Sequence, residues 1–271
     1  MANVKDQLDD CYQLSERQVE EYCENGFIKL RQVLEPDLLD HFRIEIARRV
    51  EELNTQRLPM EKRSTYDKAF LQIMNLWTVS DVVRSFVFGK RLARIATELM
   101  GCRGVRVYHD QALYKEPHGG ITPWHADQYY WPVSNDNMTT AWIPLQDTPL
   151  TMGPLAFCEK SHRFQLGRDL EISEESEMKL KQALGTFPLQ ESPFELGDVS
   201  FHAGWTFHRA GANSTDRPRE VMTVIYMDED MRLVRPKNKN QAVDVERWCP
   251  GVKEGEVIAS DLNPVLYSAK A

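Results

Sequence analysis

The chain has 271 residues, of which 42% are hydrophobic and 27% charged, a mixture typical of a soluble globular protein. Its net charge of −8 argues against the clustered basic surface that nucleic-acid binding needs, and no apolar run approaches the length of a membrane span. We therefore expect neither nucleic acid nor a membrane as a partner. The five cysteines are scattered without a CxxC pair and the N-terminus is polar and acidic, which together indicate reduced thiols in the cytoplasm.

The first part of the chain, about residues 1–101, is predicted to form a helical layer. Ser15 followed by Gln18 is typical of a capping box at a helix start, and Gly26 supplies the left-handed stop. A short strand over 27–30 follows, and then a helix over about 35–53. We expect a polar loop over 54–68 and a further helix over about 80–100.

After Gly101 the pattern changes to short β-rich runs, at about 105–108, 138–147, 153–158, 199–202 and 220–227. Such spacing indicates an antiparallel sandwich or barrel. An acidic segment, 171–184, is predicted to be an inserted helix. We expect one domain over 1–271: a mainly β, double-stranded β-helix (jelly roll, cupin-like) at about 102–230, with the helical N-terminal layer and a C-terminal extension, 231–271. This extension either closes over the site or forms a subunit contact, and the sequence leaves the oligomeric state open.

The first chemically informative cluster is the HxD tripeptide His125-Ala126-Asp127. On an extended strand, residues i and i+2 project from the same face, about 6–7 Å apart. With His208 as a distant third ligand, two histidines and one carboxylate would leave positions open on a metal, the arrangement that suits non-haem Fe(II) oxygenases. Alternatively, His125 is an ordinary half-buried histidine and Asp127 a turn or cap residue.

His202 competes with His208 for the role of third ligand. Eleven residues after His208 comes Arg219, whereas the same count from His202 reaches Asn213, which is not a cation. A guanidinium at the head of a strand can form a bidentate pair with a ligand carboxylate. The spacing therefore favours His208, although Arg219 alone is also compatible with an ordinary surface arginine.

Together these residues resemble the phytanoyl-CoA dioxygenase family of Fe(II)/2-oxoglutarate-dependent oxygenases. The HxD, the distal histidine and the co-substrate arginine of the family match His125 to Asp127, His208 and Arg219, and the resemblance runs from about residue 27 to the C-terminus. The run 140–145 resembles the family's central strand, and 153–163 resembles its "GxL…GSH" segment.

Three positions bear on how far the resemblance holds. Glu159 and Lys160 stand where the family usually has Pro-Gly, and Ala210 stands where some members have a serine that helps hold 2-oxoglutarate. Asp127 is retained, whereas related halogenases have a small residue there. The resemblance therefore implies oxidation, most simply hydroxylation, and leaves open which residue assists Arg219.

By this resemblance the cofactors are Fe(II) and the co-substrate 2-oxoglutarate, and the partners are dioxygen and a small organic substrate. Arg219 would hold the distal carboxylate of 2-oxoglutarate, and Gln111 would assist it. Trp142 either lines the same pocket or belongs to the core. No basic cluster marks a CoA phosphate site, so we expect a free small metabolite.

Several further residues are candidates for substrate contact. Lys115 shares a strand face with Gln111, His118 lies in a Pro-His-Gly-Gly loop, and Tyr129 and Trp205 lie close to the ligands in sequence. Tyr130 and Trp131 follow Tyr129 directly and are candidates for a wall of the substrate pocket, although such an aromatic run is more often packing.

Two other classes of function remain open at this point. One is a zinc-dependent hydrolase or isomerase that uses the same three ligands, and the other is a non-catalytic binding module on the same fold. Arg219 argues against a hydrolase, which needs no cation for a dicarboxylate co-substrate.

Overall fold

A computed structural model describes residues 4–269, so the first three and last two residues lie outside the description that follows. In chain order, the α-helices are α1 (Val4–Asp9), α2 (Glu16–Asn25), α3 (Pro36–Leu53), α4 (Thr65–Ala69), α5 (Asp81–Val87), α6 (Lys90–Met100), α7 (Glu174–Ala183) and α8 (Lys239–Trp248). The strands are β1 (Phe27–Leu30), β2 (Leu71–Met74), β3 (Gly104–Tyr114), β4 (Thr122–His125), β5 (Met138–Pro144), β6 (Leu155–Cys158), β7 (Leu189–Glu191), β8 (Val199–Ala203), β9 (His208–Ala210), β10 (Val221–Asp228) and β11 (Val265–Ser268).

The strands form two open antiparallel sheets. The larger has the order β1-β8-β5-β10-β3-β11, with β2 also paired to β3, and the smaller has the order β4-β9-β6-β7. Neighbouring strands are far apart in sequence, as expected of a jelly roll, and the predicted mainly β fold is confirmed. Side chains from both sheets line one cavity, which therefore lies between them.

The helical layer packs on the outer face of the larger sheet. Residues of α3, α5 and α6 share one buried cluster with residues of β3, β5, β8 and β10, which include Phe42, Phe86, Leu99, Val107 and Phe201. Burial of these apolar side chains supplies most of the stability of the helices, because short helices are only marginally stable on their own. Among residues 4–269, no helix is long and apolar enough to cross a membrane.

The helix-end signals are confirmed in detail for α2. Ser15 and Gln18 form the reciprocal capping box, and Gly26 ends the helix in the left-handed conformation with φ of 84°. Its backbone N–H donates to Tyr22 O at 2.8 Å. This places β1, and through it β8, at a fixed position against the helical layer.

Two expectations about the helical layer were wrong. The helix expected over about 80–100 is broken at Phe88 and Gly89, because Gly89 is the N-cap of α6 and approaches α1 so closely that a Cβ there would lie 3.1 Å from Leu8 Cβ. The loop expected over 54–68 contains the start of α4, whose first turn is capped by the Ser64 side chain.

Candidate active site

A cavity of about 260 Å³ lies between the two sheets. This is near the lower end of the range of roughly 300–1,000 Å³ for small-molecule sites. The polar residues that line it include Gln72, His109, Gln111, Thr122, His125, Asp127, Thr140, His202, His208, Arg219, Thr223, Asn240, Asp244 and Arg247.

His125 and His208 lie directly opposite each other on neighbouring strands. His125 is the last residue of β4, His208 is the first of β9, and the two are paired in the register of the sheet. Their ring centroids are 4.2 Å apart. Asp127 is the first residue of the 3-10 turn Asp127–Tyr130, so the strand ends before the carboxylate. Ala126 between them stays extended, which brings both side chains of the HxD to the same place.

The three side chains fit a metal ion in position and in protonation. One ligand atom from each of His125, Asp127 and His208 lies within 4.8 Å of the others. Nδ1 of His125 lies 2.7 Å from Pro123 O, and Nδ1 of His208 lies 2.9 Å from Thr206 O. Because a carbonyl oxygen only accepts, each Nδ1 carries the proton and each Nε2 keeps a free lone pair for a metal.

The two oxygens of Asp127 have different partners. Oδ1 faces the histidines, at 3.5 Å from His125 Nε2 and 3.7 Å from His208 Nε2. Oδ2 accepts a hydrogen bond from Thr140 Oγ1 at 3.0 Å and lies 3.2 Å from His202 Nε2. This arrangement leaves Oδ1 for the metal and gives His202 a place behind the ligand, so the geometry favours His208 as the third ligand.

The surroundings of the ligands set the charges that a metal site needs. Burial acts to raise the pKa of Asp127, but the charge of His208 and the contacts with His125 and His202 outweigh it, so the pKa lies well below its usual range. Burial, followed by the charge of His125, lowers the pKa of His208 well below its usual value. An ionised carboxylate and a neutral imidazole are the forms that bind metal.

Arg219 is a buried cation whose guanidinium meets no carboxylate among the described residues. Its side chain is 2% exposed, and burial lowers its pKa to about 9. Nη1 donates to Gly153 O at 2.6 Å, whereas Nε has no partner. The guanidinium lies 5.4 Å from the ring centroid of Trp142, whose Nε1 also has no partner. Unpartnered buried donors are costly, so this end of the cavity fits an anionic ligand.

Thr122 supplies a hydroxyl close to Ala210, the position where some family members have a serine. It is directly paired with Ala210 across β4 and β9, and both residues line the cavity. Its Oγ1 accepts a hydrogen bond from the buried Lys115 Nζ at 3.3 Å. The hydroxyl proton of Thr122 therefore remains free to be donated to a ligand.

Gln111 and Trp142 line the cavity, and Trp142 also belongs to a buried apolar cluster, whereas the four residues predicted to contact substrate do not line it. Lys115 is fully buried beneath the wall, where Nζ also donates to Gly120 O. His118 is exposed and lies 3.3 Å from Asp216 Oδ1. Tyr129 OH lies 3.4 Å from Asn240 Nδ2, and Trp205 Nε1 donates to Asp136 Oδ1 at 3.0 Å. Contact of these four residues with substrate stays a prediction.

The aromatic part of the cavity wall was anticipated only for the run after the HxD, and Tyr66 and Trp248 were missed. Tyr66 comes from α4, Tyr130 and Trp131 from the turn after the HxD, and Trp248 from α8. A signal for α8 was present: Asn238 caps the helix by accepting from Gln241 N at 2.8 Å, a spacing typical of helix starts. We call Leu113, Thr122, Trp142 and Arg219 the arginine end of the cavity, and Tyr66, His109, Tyr130, Trp131 and Trp248 its aromatic end.

An antiparallel jelly roll whose cavity holds two histidines and a carboxylate in contact is the arrangement of a non-haem iron oxygenase. Comparison with known proteins agrees, since the sequence model of the phytanoyl-CoA dioxygenase (PhyH) family matches residues 22–221. The chain therefore belongs to the phytanoyl-CoA dioxygenase family of iron- and 2-oxoglutarate-dependent oxygenases. A curated relative, the probable alpha-ketoglutarate-dependent hypophosphite dioxygenase of Stutzerimonas stutzeri, is 23% identical over 225 residues, which are 79% of this chain and 78% of the relative.

Two solved structures from nogalamycin biosynthesis extend the comparison. The non-haem alpha-ketoglutarate-dependent carbocyclase SnoK has a TM-score of 0.77 at 25% identity, covering 93% of this chain and 96% of its own. The epimerase SnoN, in complex with Fe³⁺, alpha-ketoglutarate and nogalamycin RO, has a TM-score of 0.78 at 26% identity, covering 93% and 98%. Alpha-ketoglutarate is 2-oxoglutarate, the co-substrate expected from the sequence.

Proposed function

We propose that this protein hydroxylates a small organic metabolite, with His125, Asp127 and His208 holding ferrous iron and Arg219 anchoring 2-oxoglutarate. The observation that carries this proposal is the buried, unpaired Arg219 in the same cavity as the three metal-binding side chains. A hydrolase would have no use for this cation, whereas a dicarboxylate co-substrate pairs with it. The retained carboxylate of Asp127 supports hydroxylation over halogenation.

One group of residues orients the metal ligand Asp127, and another lines the proposed co-substrate site. Thr140 and His202 engage Oδ2 of Asp127, so that one carboxylate oxygen is left for the metal. Thr122, Gln111 and Trp142 line the cavity with Arg219, and we propose that they contact 2-oxoglutarate. When bound, iron with 2-oxoglutarate and dioxygen supplies an oxidant for an unactivated C–H bond, with succinate and carbon dioxide as co-products.

The relatives act on unlike substrates, so family membership does not select one. Their descriptions name a hypophosphite dioxygenase, a carbocyclase and an epimerase. The small cavity and its apolar walls support an organic metabolite whose reacting part enters the protein. We further propose that the whole chain acts as one catalytic domain, and that it works in the cytoplasm, in keeping with its five free cysteines.

The test is a screen for succinate release across a library of metabolites, with Fe(II) and with Zn(II) in parallel. We expect succinate only with Fe(II), in amounts that rise with the correct substrate, and none from the Asp127→Ala variant. If the protein converts a library compound with Zn(II) and releases no succinate, it is a zinc-dependent hydrolase or isomerase instead.

A further inference from the structure

The cavity continues past the metal ligands to the aromatic end. The spacing of residues along β3 gives its length. His109, Gln111 and Leu113 alternate along this strand and all line the cavity. At about 3.4 Å per residue, His109 and Leu113 lie roughly 13 Å apart. In the register of the sheet His109 shares a row with Thr140, the partner of Asp127, whereas Gln111 shares a row with Trp142. The aromatic end therefore begins beside the metal site, on the side away from the arginine end.

Two polar groups of this end, the buried His109 and the half-buried Asp244, are not used by the proposed metal and co-substrate sites. His109 is 4% exposed, and its Nδ1 has no hydrogen-bond partner. Asp244 of α8 accepts a hydrogen bond from Tyr108 OH at 2.9 Å and lines the cavity as well. Burial lowers the pKa of His109 to about 4 and raises that of Asp244 to about 7. An unsatisfied polar atom in a native cavity needs an explanation, and an incoming ligand supplies one.

The walls between these two groups are flat and aromatic. Tyr66, Tyr130, Trp131 and Trp248 line the cavity here, and the Trp248 ring lies 5.3 Å from the ring of His109. Aromatic walls with few polar groups are typical of sites that bind a ring-shaped molecule and orient it by hydrogen bonds.

The charges on α8 favour an uncharged ligand. Asp244 and Arg247 both line the cavity and lie three residues apart on one helix, where opposite charges are neighbours. The charge of Arg247 also acts on Asp244 to lower its pKa. Because Asp244 and Arg247 carry opposite charges, this wall has no excess charge of either sign to pair with an ionic ligand.

We propose that the aromatic end binds the substrate as an uncharged, ring-containing molecule, oriented by a hydroxyl group that contacts Asp244 and His109. This inference rests on the proposed function, because it places the substrate beside the metal site. Asp244 and the rest of α8 lie outside residues 22–221, which the family model matches, whereas His109 lies within them. Asp244 and His109 would then be residues that determine substrate specificity.

The experiment measures binding of two matched ring probes to the protein loaded anaerobically with Fe(II) and 2-oxoglutarate. The probes are 2-naphthol and 2-methoxynaphthalene, which differ in the hydroxyl proton and a methyl group, and 2-naphthylmethylamine serves as the cationic arm. We expect 2-naphthol to bind roughly tenfold more tightly than the ether, in line with the loss of one buried hydrogen bond. Asp244→Leu should remove this preference, whereas Glu246→Gln, on the exposed side of α8, should keep it.

Two further variants distinguish the proposed contact from misfolding and from binding of a different class of ligand. Asp244→Asn keeps an acceptor oxygen, so it should retain the preference for 2-naphthol. Val243→Trp should block all probes by filling the aromatic end, without changing the affinity for 2-oxoglutarate. Equal binding of the alcohol and the ether, or a preference for the amine that Asp244→Asn abolishes, would overturn the inference. Failure of the wild type to bind 2-oxoglutarate would instead overturn the proposed function.

Discussion

At the arginine end of the cavity, the lining side chains come from β3, β4 and β5 and from Arg219, which precedes β10 and is bridged to Lys115 just after β3. At the aromatic end, apart from His109, they come from α4, from the turn after β4 and from α8. Strand register fixes the first group to within the spacing of the sheet, because neighbouring strands leave little freedom. Helices and turns can differ between relatives without disturbing the sheets. This difference agrees with the proposal that the arginine end binds the shared co-substrate and the aromatic end binds a particular substrate.

The largest effect should follow from removing a metal ligand, which lies between the two ends and serves both. His208→Ala takes away one of three ligands, so the loss of succinate formation should exceed the roughly 10- to 100-fold loss typical of outer-shell partners. Rates of 2-oxoglutarate consumption under Fe(II) measure it. Activity within a few-fold of the wild type would show that His208 is not a ligand.

The next effect should be confined to the arginine end. Arg219→Met removes a charge-assisted pair, so the KM for 2-oxoglutarate should rise roughly 10- to 100-fold. Arg219→Lys should recover only part of this, because an ammonium lacks the planar pair of donors. Arg217→Met, an exposed neighbour, is the matched control. If KM changes equally in both variants, the buried cation does not bind the co-substrate.

A smaller effect should come from the groups behind Asp127. Thr140→Val and His202→Phe each remove a partner of Oδ2, so affinity for a redox-stable ion such as Mn(II) should fall roughly 10-fold. Calorimetric titration with Mn(II) gives the affinity without turnover. The control is Ser200→Ala, on the same strand as His202. It removes a hydroxyl that has no hydrogen-bond partner and should leave Mn(II) affinity unchanged. Equal Mn(II) affinity in all three variants would show that Thr140 and His202 do not position Asp127.

The last effect is on stability and not on catalysis, and it concerns a residue beneath the arginine end. Burial, and then the charge of Arg219, lowers the pKa of Lys115 from 10.5 to about 6. Because the unfolded chain binds this proton more tightly than the folded protein does, the free energy of unfolding of the wild type falls as pH falls from about 10 to 6. Lys115→Met should therefore gain on the wild type over this range, by roughly 1.4 kcal/mol for each pH unit.

Denaturant unfolding across this pH range measures that change. The exposed Lys62→Met variant provides the control and should follow the wild type at every pH. A constant difference between Lys115→Met and the wild type would show that Lys115 keeps its ordinary pKa in the folded protein.

The sequence was sufficient for the parts of the protein that depend on local spacing. The capping box at Ser15, the strand runs after Gly101, the HxD, and the eleven-residue spacing from His208 to Arg219 all describe short, regular relationships. These led to the jelly roll and to residues that the fold then brings together. The break at Gly89 was missed because it depends on contact with α1, which is remote in sequence.

Other features depend on which distant strands become neighbours. The pairing of Thr122 with Ala210 joins residues 88 positions apart, and no local pattern predicts it. The position of His202 behind Asp127 could not be predicted, because it follows from the pairing of β8 with β5. Tyr66 and Trp248 were missed because α4 and α8 reach the cavity from outside the recognisable motifs.

Anaerobic titration with Fe(II) and 2-oxoglutarate reports on the metal ligands and the co-substrate at once. The wild type should show a weak visible charge-transfer band that is lost in His125→Ala. In Arg219→Met the band should appear only at higher 2-oxoglutarate concentrations. An unchanged band in His125→Ala would contradict the ligand assignment, and absence of the band from the wild type would contradict the proposed chemistry.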